Sequence, residues 1–94
     1  MLDERRKRLR FRAWRRGFRE IDLILGGFAD RHSATLDACE VDAFERLLEM
    51  RDLDVYDWII GAAAPPPDHD TGLLERLRRF RPARDAHATV TDDA

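Results

Sequence analysis

The segment Asp37-Ala38-Cys39-Glu40-Val41-Asp42-Ala43-Phe44-Glu45-Arg46-Leu47-Leu48 carries the clearest secondary-structure signal in the chain. Asp37 and Glu40 stand three apart, as in a capping box. There the first side chain accepts a backbone N–H and the second reaches back. Val41, Phe44, Leu47 and Leu48 then recur at the 3–4 spacing of one buried helical face. A strand would instead alternate with period two, and no segment of this chain does so. Upstream, Phe18, Ile21, Leu25, Phe28 and His32 mark a helix over residues 18–32. Gly26-Gly27 interrupts it and calls for a reason, such as a close crossing by another helix. Residues 4–16 read as an Arg-rich first helix with Leu9, Phe11, Ala13 and Trp14, ended by a tight turn at Gly17. Continuing through Gly17 would cost roughly 1 kcal/mol relative to alanine.

Downstream, Asp52 or Asp54 suits the cap of a short fourth helix carrying Val55, Tyr56, Trp58, Ile59 and Ile60. Gly61 suits its stop, and Pro65-Pro66-Pro67 enforces an extended connector. Asp68 or Asp70 then suits the cap of a fifth helix with Leu73, Leu74, Leu77 and Phe80 on its apolar side and Pro82 beyond its end. Residues 83–94 lack periodicity and are expected to form a disordered tail. The sequence therefore predicts an all-α protein: one compact five-helix bundle over residues 1–82.

A chain of 94 residues can build one small core, which favours a binding module over a self-sufficient enzyme. The single cysteine, Cys39, excludes a disulfide within the monomer and fits a reducing, cytoplasmic setting. No apolar run approaches the roughly 18 to 20 residues that span a bilayer, so no membrane insertion is expected. The arginines near the start suggest a transit peptide, but the amphipathic pattern runs straight into the domain. Residues 1–19 are read as mature protein.

The net charge of −2 conceals a strong asymmetry. Residues 1–19 hold nine Lys/Arg against two acids, and residues 20–58 hold eleven acids against three bases. Charge sorted in this way serves either a partner or the packing of one segment on another. Nucleic-acid binding is one reading of the basic run, with Phe11 and Trp14 interleaved. The other is a helix whose arginines pair with the acidic middle segment. The slightly negative total favours the second.

Catalytic constellations are missing from the pattern. Cys39 lies in a first helical turn, where a thiol pKa can fall, but Glu40 adjoins it and no histidine partner is apparent. His32, His69 and His87 have no ligand spacing, and Asp68-His69-Asp70 reads as a solvated linker. Neither a P-loop nor G-x-G-x-x-G occurs. Arg16-Gly17-Phe18-Arg19-Glu20 is more informative. Gly17 leaves the backbone open to close approach, Arg16 is expected to point out of the end of the first helix, and Glu20 complements the dipole of the second. Asp52-Leu53-Asp54-Val55-Tyr56-Asp57-Trp58 is ambiguous. Its acids suit caps, while its Tyr and Trp suit either core or an interface anchor.

These blocks resemble the SdhE-type flavinylation factors, whose mitochondrial relatives serve succinate dehydrogenase assembly. Arg16-Gly17-x-x-Glu20 matches that family's Arg-Gly-x-x-Glu signature. Ile21-Asp22-Leu23-Ile24-Leu25, Phe28, Phe44-Glu45-Arg46-Leu47-Leu48-Glu49 and Asp52-x-Asp54-x-Tyr56-x-Trp58 follow in the family's order, over about residues 5–60. The resemblance implies a five-helix bundle and a role in covalent attachment of FAD to the flavoprotein subunit of succinate dehydrogenase, and in some members of fumarate reductase. It implies that Arg16, Gly17 and Glu20 contact that subunit, with Arg15, Arg19, Asp22, Asp54 and Trp58 as further candidates. It also implies that this chain is not the catalyst and that the flavin is handled through the client; with no phosphate cradle in the sequence, no stably bound FAD is expected. A nucleic-acid-binding or antitoxin-like module using the Arg-rich helix is the alternative. Gly26-Gly27 departs from the family pattern, and the fifth helix matches it loosely.

Overall fold

Asp37 caps α3 (Ala38–Leu48) as its spacing suggests. Its carboxylate accepts the Glu40 N–H at 2.8 Å and Glu40 accepts the Asp37 N–H at 2.9 Å. The structure, a computed structural model, describes residues 3–82. Around α3 stand α1 (Glu4–Ala13), α2 (Arg19–His32), α4 (Asp52–Ile60) and α5 (Gly72–Arg79), with a 3-10 turn at Pro67–His69 before α5. No strand occurs among the described residues. The expected tail at 83–94 lies outside them.

The core gathers one face of each helix. Phe28 of α2 is its aromatic hub, edge-on to Phe44 of α3 and to Phe80 at the end of α5, with ring centroids 5.9 and 5.7 Å apart. Leu9, Ile21, Leu25, Val41, Val55, Leu74 and Leu77 fill the space around it. Burial of this set supplies the main drive to fold, about 1.5–3 kcal/mol for each large side chain removed from water. α1 lies against α2 and α3, and α5 packs on α3, α4 and α2.

Gly26-Gly27 now has its reason, and a side chain supplies it. A Cβ at Gly26 would lie 2.2 Å from Trp14 Cδ2, because the indole lies flat on the α2 backbone there. A Cβ at Gly27 would meet Phe80 at 3.2 Å. The second helix therefore runs unbroken through both glycines, and each leaves room for a ring from another element. Gly61 ends α4 in the left-handed region at φ 86°, where a Cβ is disfavoured.

Three boundaries differ from expectation. α1 stops at Ala13 and not at residue 16, because Trp14 turns in to cover Gly26 and donates from Nε1 to Asp30 at 3.1 Å. Neither Asp52 nor Asp54 caps α4. Arg51 holds that position without a side-chain bond, and both acids sit in the first turn. Neither Asp68 nor Asp70 caps α5, where Thr71 accepts the Leu74 N–H at 3.2 Å. His69 instead stacks on Trp58 with centroids 5.5 Å apart.

The Arg-rich helix is held by the acidic middle of the chain. Arg5 forks Glu45 at 2.8 Å and also bonds Asp42. Arg10 reaches Asp30 at 3.1 Å, and Arg12 reaches Glu49 at 2.7 Å. Hydrogen bonding from Arg5 holds the Glu45 carboxyl below its ordinary range, outweighing the opposing effect of burial. The charge asymmetry of the sequence is thus largely an internal docking device.

Candidate partner-binding site at the joint between α1 and α2

Residues 14–18 turn the chain from α1 into α2, and the joint is fixed from three sides. The Arg16 N–H donates to Asp22 Oδ1 at 2.8 Å, which ties the turn to the start of α2. The Arg16 guanidinium folds inward, its side chain only 13% exposed. It donates from Nε to Asp52 Oδ1 at 3.0 Å and from Nη2 to the Leu48 carbonyl at 2.8 Å. Leu48 ends α3 and Asp52 begins α4. A cation there answers both the negative end of one helix dipole and the acid at the start of the next. Arg16 therefore does not point out of the end of α1. That expectation assumed a helix reaching residue 16.

Gly17 is exposed, as expected for a point of close approach. Its φ is not positive, so the need for glycine is one of space. A Cβ there would lie 2.8 Å from Asp52 Oδ2. Phe18 follows in an extended conformation and packs edge-on against Tyr56 at 5.3 Å, joining α2 to α4. Gly17, Phe18, Arg51, Asp52 and Leu53 line an open groove of about 370 Å³. Leu53 is 66% exposed at its rim.

The other sequence candidates divide. Glu20 stands exposed in the first turn of α2 and, like Arg19, has no ion-pair partner among the described residues. Arg15 lies 3.8 Å over the ring of Phe11, itself exposed on α1. Asp22 is engaged by the Arg16 backbone and Asp54 by Arg51 at 3.1 Å. Trp58 is 8% exposed and covered by His69, so it belongs to the core and not to this surface. Nothing in the sequence marks Asp52 or Arg51 as part of the site. Leu53 left a trace in the sequence, an apolar residue off the Val55–Trp58–Ile59 stripe. The approach of Asp52 to Arg16, 36 residues away, left none.

The sequence model of one protein family, the flavinator of succinate dehydrogenase, matches residues 7–81. The chain belongs to this family. Among relatives of this flavinator family, the FAD assembly factor SdhE of Acetobacter pasteurianus is 40% identical over 76 residues, covering 81% of this chain and 70% of its own. The mitochondrial succinate dehydrogenase assembly factor 2 of Candida glabrata is 32% identical over 83 residues, covering 84% and 54%. That of Saccharomyces cerevisiae is 34% identical over 83 residues, covering 84% and 51%. The chain thus spans about half the length of the mitochondrial relatives it matches. The match includes the Arg16–Glu20 joint and extends through α5.

The N–H groups and dipole at a helix N-terminus favour an anion such as a pyrophosphate. Here every α-helix carries an acid in its first turn: Glu4, Glu20 with Asp22, Glu40, Asp52 with Asp54, and Glu75. Asp3, Asp37 and Thr71 also cap three of the five. Among the described residues no group of three or more His, Cys, Asp or Glu is arranged to hold a metal ion, and no helix is long and apolar enough to cross a membrane.

Proposed function

We propose that this protein is a non-catalytic assembly factor that binds the flavoprotein subunit of succinate dehydrogenase and promotes covalent attachment of its FAD. The family match over residues 7–81, which contains an Arg-Gly-x-x-Glu joint with Gly17 and Glu20 exposed, carries the reading. Gly17 and Glu20 form the contact surface, with the groove beside Leu53 as its apolar margin. The factor works by preferring one conformation of its client and raising that conformation's population. FAD stays with the client, in keeping with the acidic helix starts of this chain. Fumarate reductase, whose flavoprotein subunit presents the same problem, is a second client under this reading. The setting is cytoplasmic, compatible with the free, exposed Cys39.

The internal pairing of Arg5, Arg10, Arg12 and Arg16 supports protein contact over nucleic-acid contact, because those charges already have carboxylate partners. The deciding experiment produces the flavoprotein subunit with and without this protein and reads covalent flavin by in-gel fluorescence after denaturation. A rise with the wild type that Glu20→Ala abolishes is expected. Equal flavin with and without the protein, both chains folded and FAD supplied, would defeat the reading.

A further inference from the structure

We propose that Asp52, which lies outside the Arg-Gly-x-x-Glu signature, is a positioning residue of the partner-binding site, and that Arg16 acts through it from inside the fold. The inference rests on the partner-binding reading above and assigns how the joint is held in shape for the partner.

Three observations carry it. First, Arg16 is committed inward. It bonds Asp52 at 3.0 Å and the Leu48 carbonyl at 2.8 Å, and its side chain is 13% exposed. A guanidinium so placed has little to offer a partner. Fixed in a fork geometry, it is suited to setting the relation of α3, α4 and the joint. Second, the Asp52 carboxylate divides its two oxygens between the first two residues of the signature. Oδ1 takes the Arg16 Nε–H, and Oδ2 lies 2.8 Å from where a Cβ on Gly17 would be. Any side chain at Gly17 must push that carboxylate aside and disturb its bond to Arg16. Arg16 and Gly17 are thus two requirements of one arrangement, meeting at Asp52. Third, the Arg16 N–H is held by Asp22, so the turn is anchored at both its backbone and its side chain. Glu20 and the Gly17 backbone, which face solvent, inherit their placement from this anchoring.

The pair makes the joint pre-organised. Without it the joint samples other shapes, and apparent affinity falls by the fraction that remains competent. The test measures the dissociation constant of each variant with the flavoprotein subunit, together with flavinylation across factor concentrations and thermal unfolding of the factor. Asp52→Ala is expected to weaken binding by roughly tenfold, and raising its concentration is expected to restore full flavinylation. Gly17→Ala is expected to weaken binding in the wild-type background and to add nothing in the Asp52→Ala background, where no carboxylate obstructs a Cβ. Asp52→Asn keeps an acceptor for Nε and is expected to bind within about threefold of wild type. Should Asp52→Ala fail to fold, Asp52→Ser, too short to reach the Arg16 Nε and without a second oxygen beside Gly17, takes its place with the same expectations.

Wild-type binding by Asp52→Ala, or additive losses in the double variant, would overturn the proposal. Glu20→Ala separates this result from failure of the underlying reading. If Glu20→Ala weakens binding while Asp52→Ala does not, only the positioning role is lost. If Glu20→Ala has no effect, the contact surface itself is misassigned.

Discussion

Gly17 and the pair Gly26-Gly27 are chemically alike and do opposite work. At Gly26 the missing Cβ makes room within the fold. The Trp14 ring occupies that space, buried backbone on one side and the Asp30 carboxylate at its edge. At Gly17 the missing Cβ leaves an exposed backbone beside a carboxylate that is already engaged by Arg16. The first glycine is a packing requirement, the second a requirement of a surface. The difference teaches that a glycine gains its meaning from what comes to meet it, which is seldom its neighbour in sequence.

Substitution separates the two most sharply at Gly26. Gly26→Ala places a Cβ inside the Trp14 ring position, so the indole must leave. Even after the gain in helix propensity, a loss of about 2 kcal/mol is expected, a fall of roughly 10 °C in a thermal melt. A melt unchanged from wild type would show that the ring seat is dispensable. Gly17→Arg should reverse the pattern. Binding to the flavoprotein subunit should fall about tenfold or more, while the melting temperature falls by less than half as much as in Gly26→Ala. Equal thermal losses in the two variants would erase the distinction between them.

Smaller effects refine it. Gly27→Ala meets only the edge of Phe80 at 3.2 Å, which a slight shift of the ring relieves. The gain in helix propensity offsets that shift, so a change under about 1 kcal/mol is expected by denaturant unfolding. A loss as large as that at Gly26 would mean that Phe80 is as rigidly seated as Trp14.

The smallest effect concerns the ion pairs that hold α1, and its signature is a change of slope in acid. Arg5 holds the Glu45 carboxyl below its ordinary value of 4.5. A carboxylate lowered on folding contributes stability that is fully present above that ordinary value and is lost as pH falls through the folded one. Arg5→Ala should therefore flatten the stability profile below pH 4.5 and leave its slope unchanged above. A profile equally steep in acid would remove Glu45 from the account.

What the sequence disclosed follows the range of the interactions concerned. The capping box of Asp37 with Glu40, the stop at Gly61 and the stripe of Val41, Phe44, Leu47 and Leu48 are local, and each was legible. The cap of α5 is not legible, because Asp68 and Asp70 are better capping residues by type than their placement allows. The extended proline connector sets Thr71 at the helix start instead. The end of α1 is not legible either, because nothing near Trp14 reveals that Gly26, twelve residues on, is its seat. The site was half legible. The signature marks Arg16, Gly17 and Glu20, and of these Gly17 and Glu20 are exposed. The inward turn of Arg16 and the involvement of Asp52 depend on how α3 and α4 meet, which no spacing within the signature encodes. Trp58 was ambiguous for the same reason, since only the fold shows His69 covering it.

α1 buries just two residues, Leu9 and Ala13, and otherwise holds on by charge. Exposed ion pairs contribute about 0–1 kcal/mol each, and salt screens them. A helix so held is expected to open more readily than the rest of the bundle, and more readily still as salt rises. Trp14 and Arg16 lie at its end, so every opening lifts the ring from Gly26 and the guanidinium from Asp52 in one motion. Salt that loosens the grip of Arg5, Arg10 and Arg12 is therefore expected to weaken the joint from a distance, through pairs that lie outside the contact surface itself.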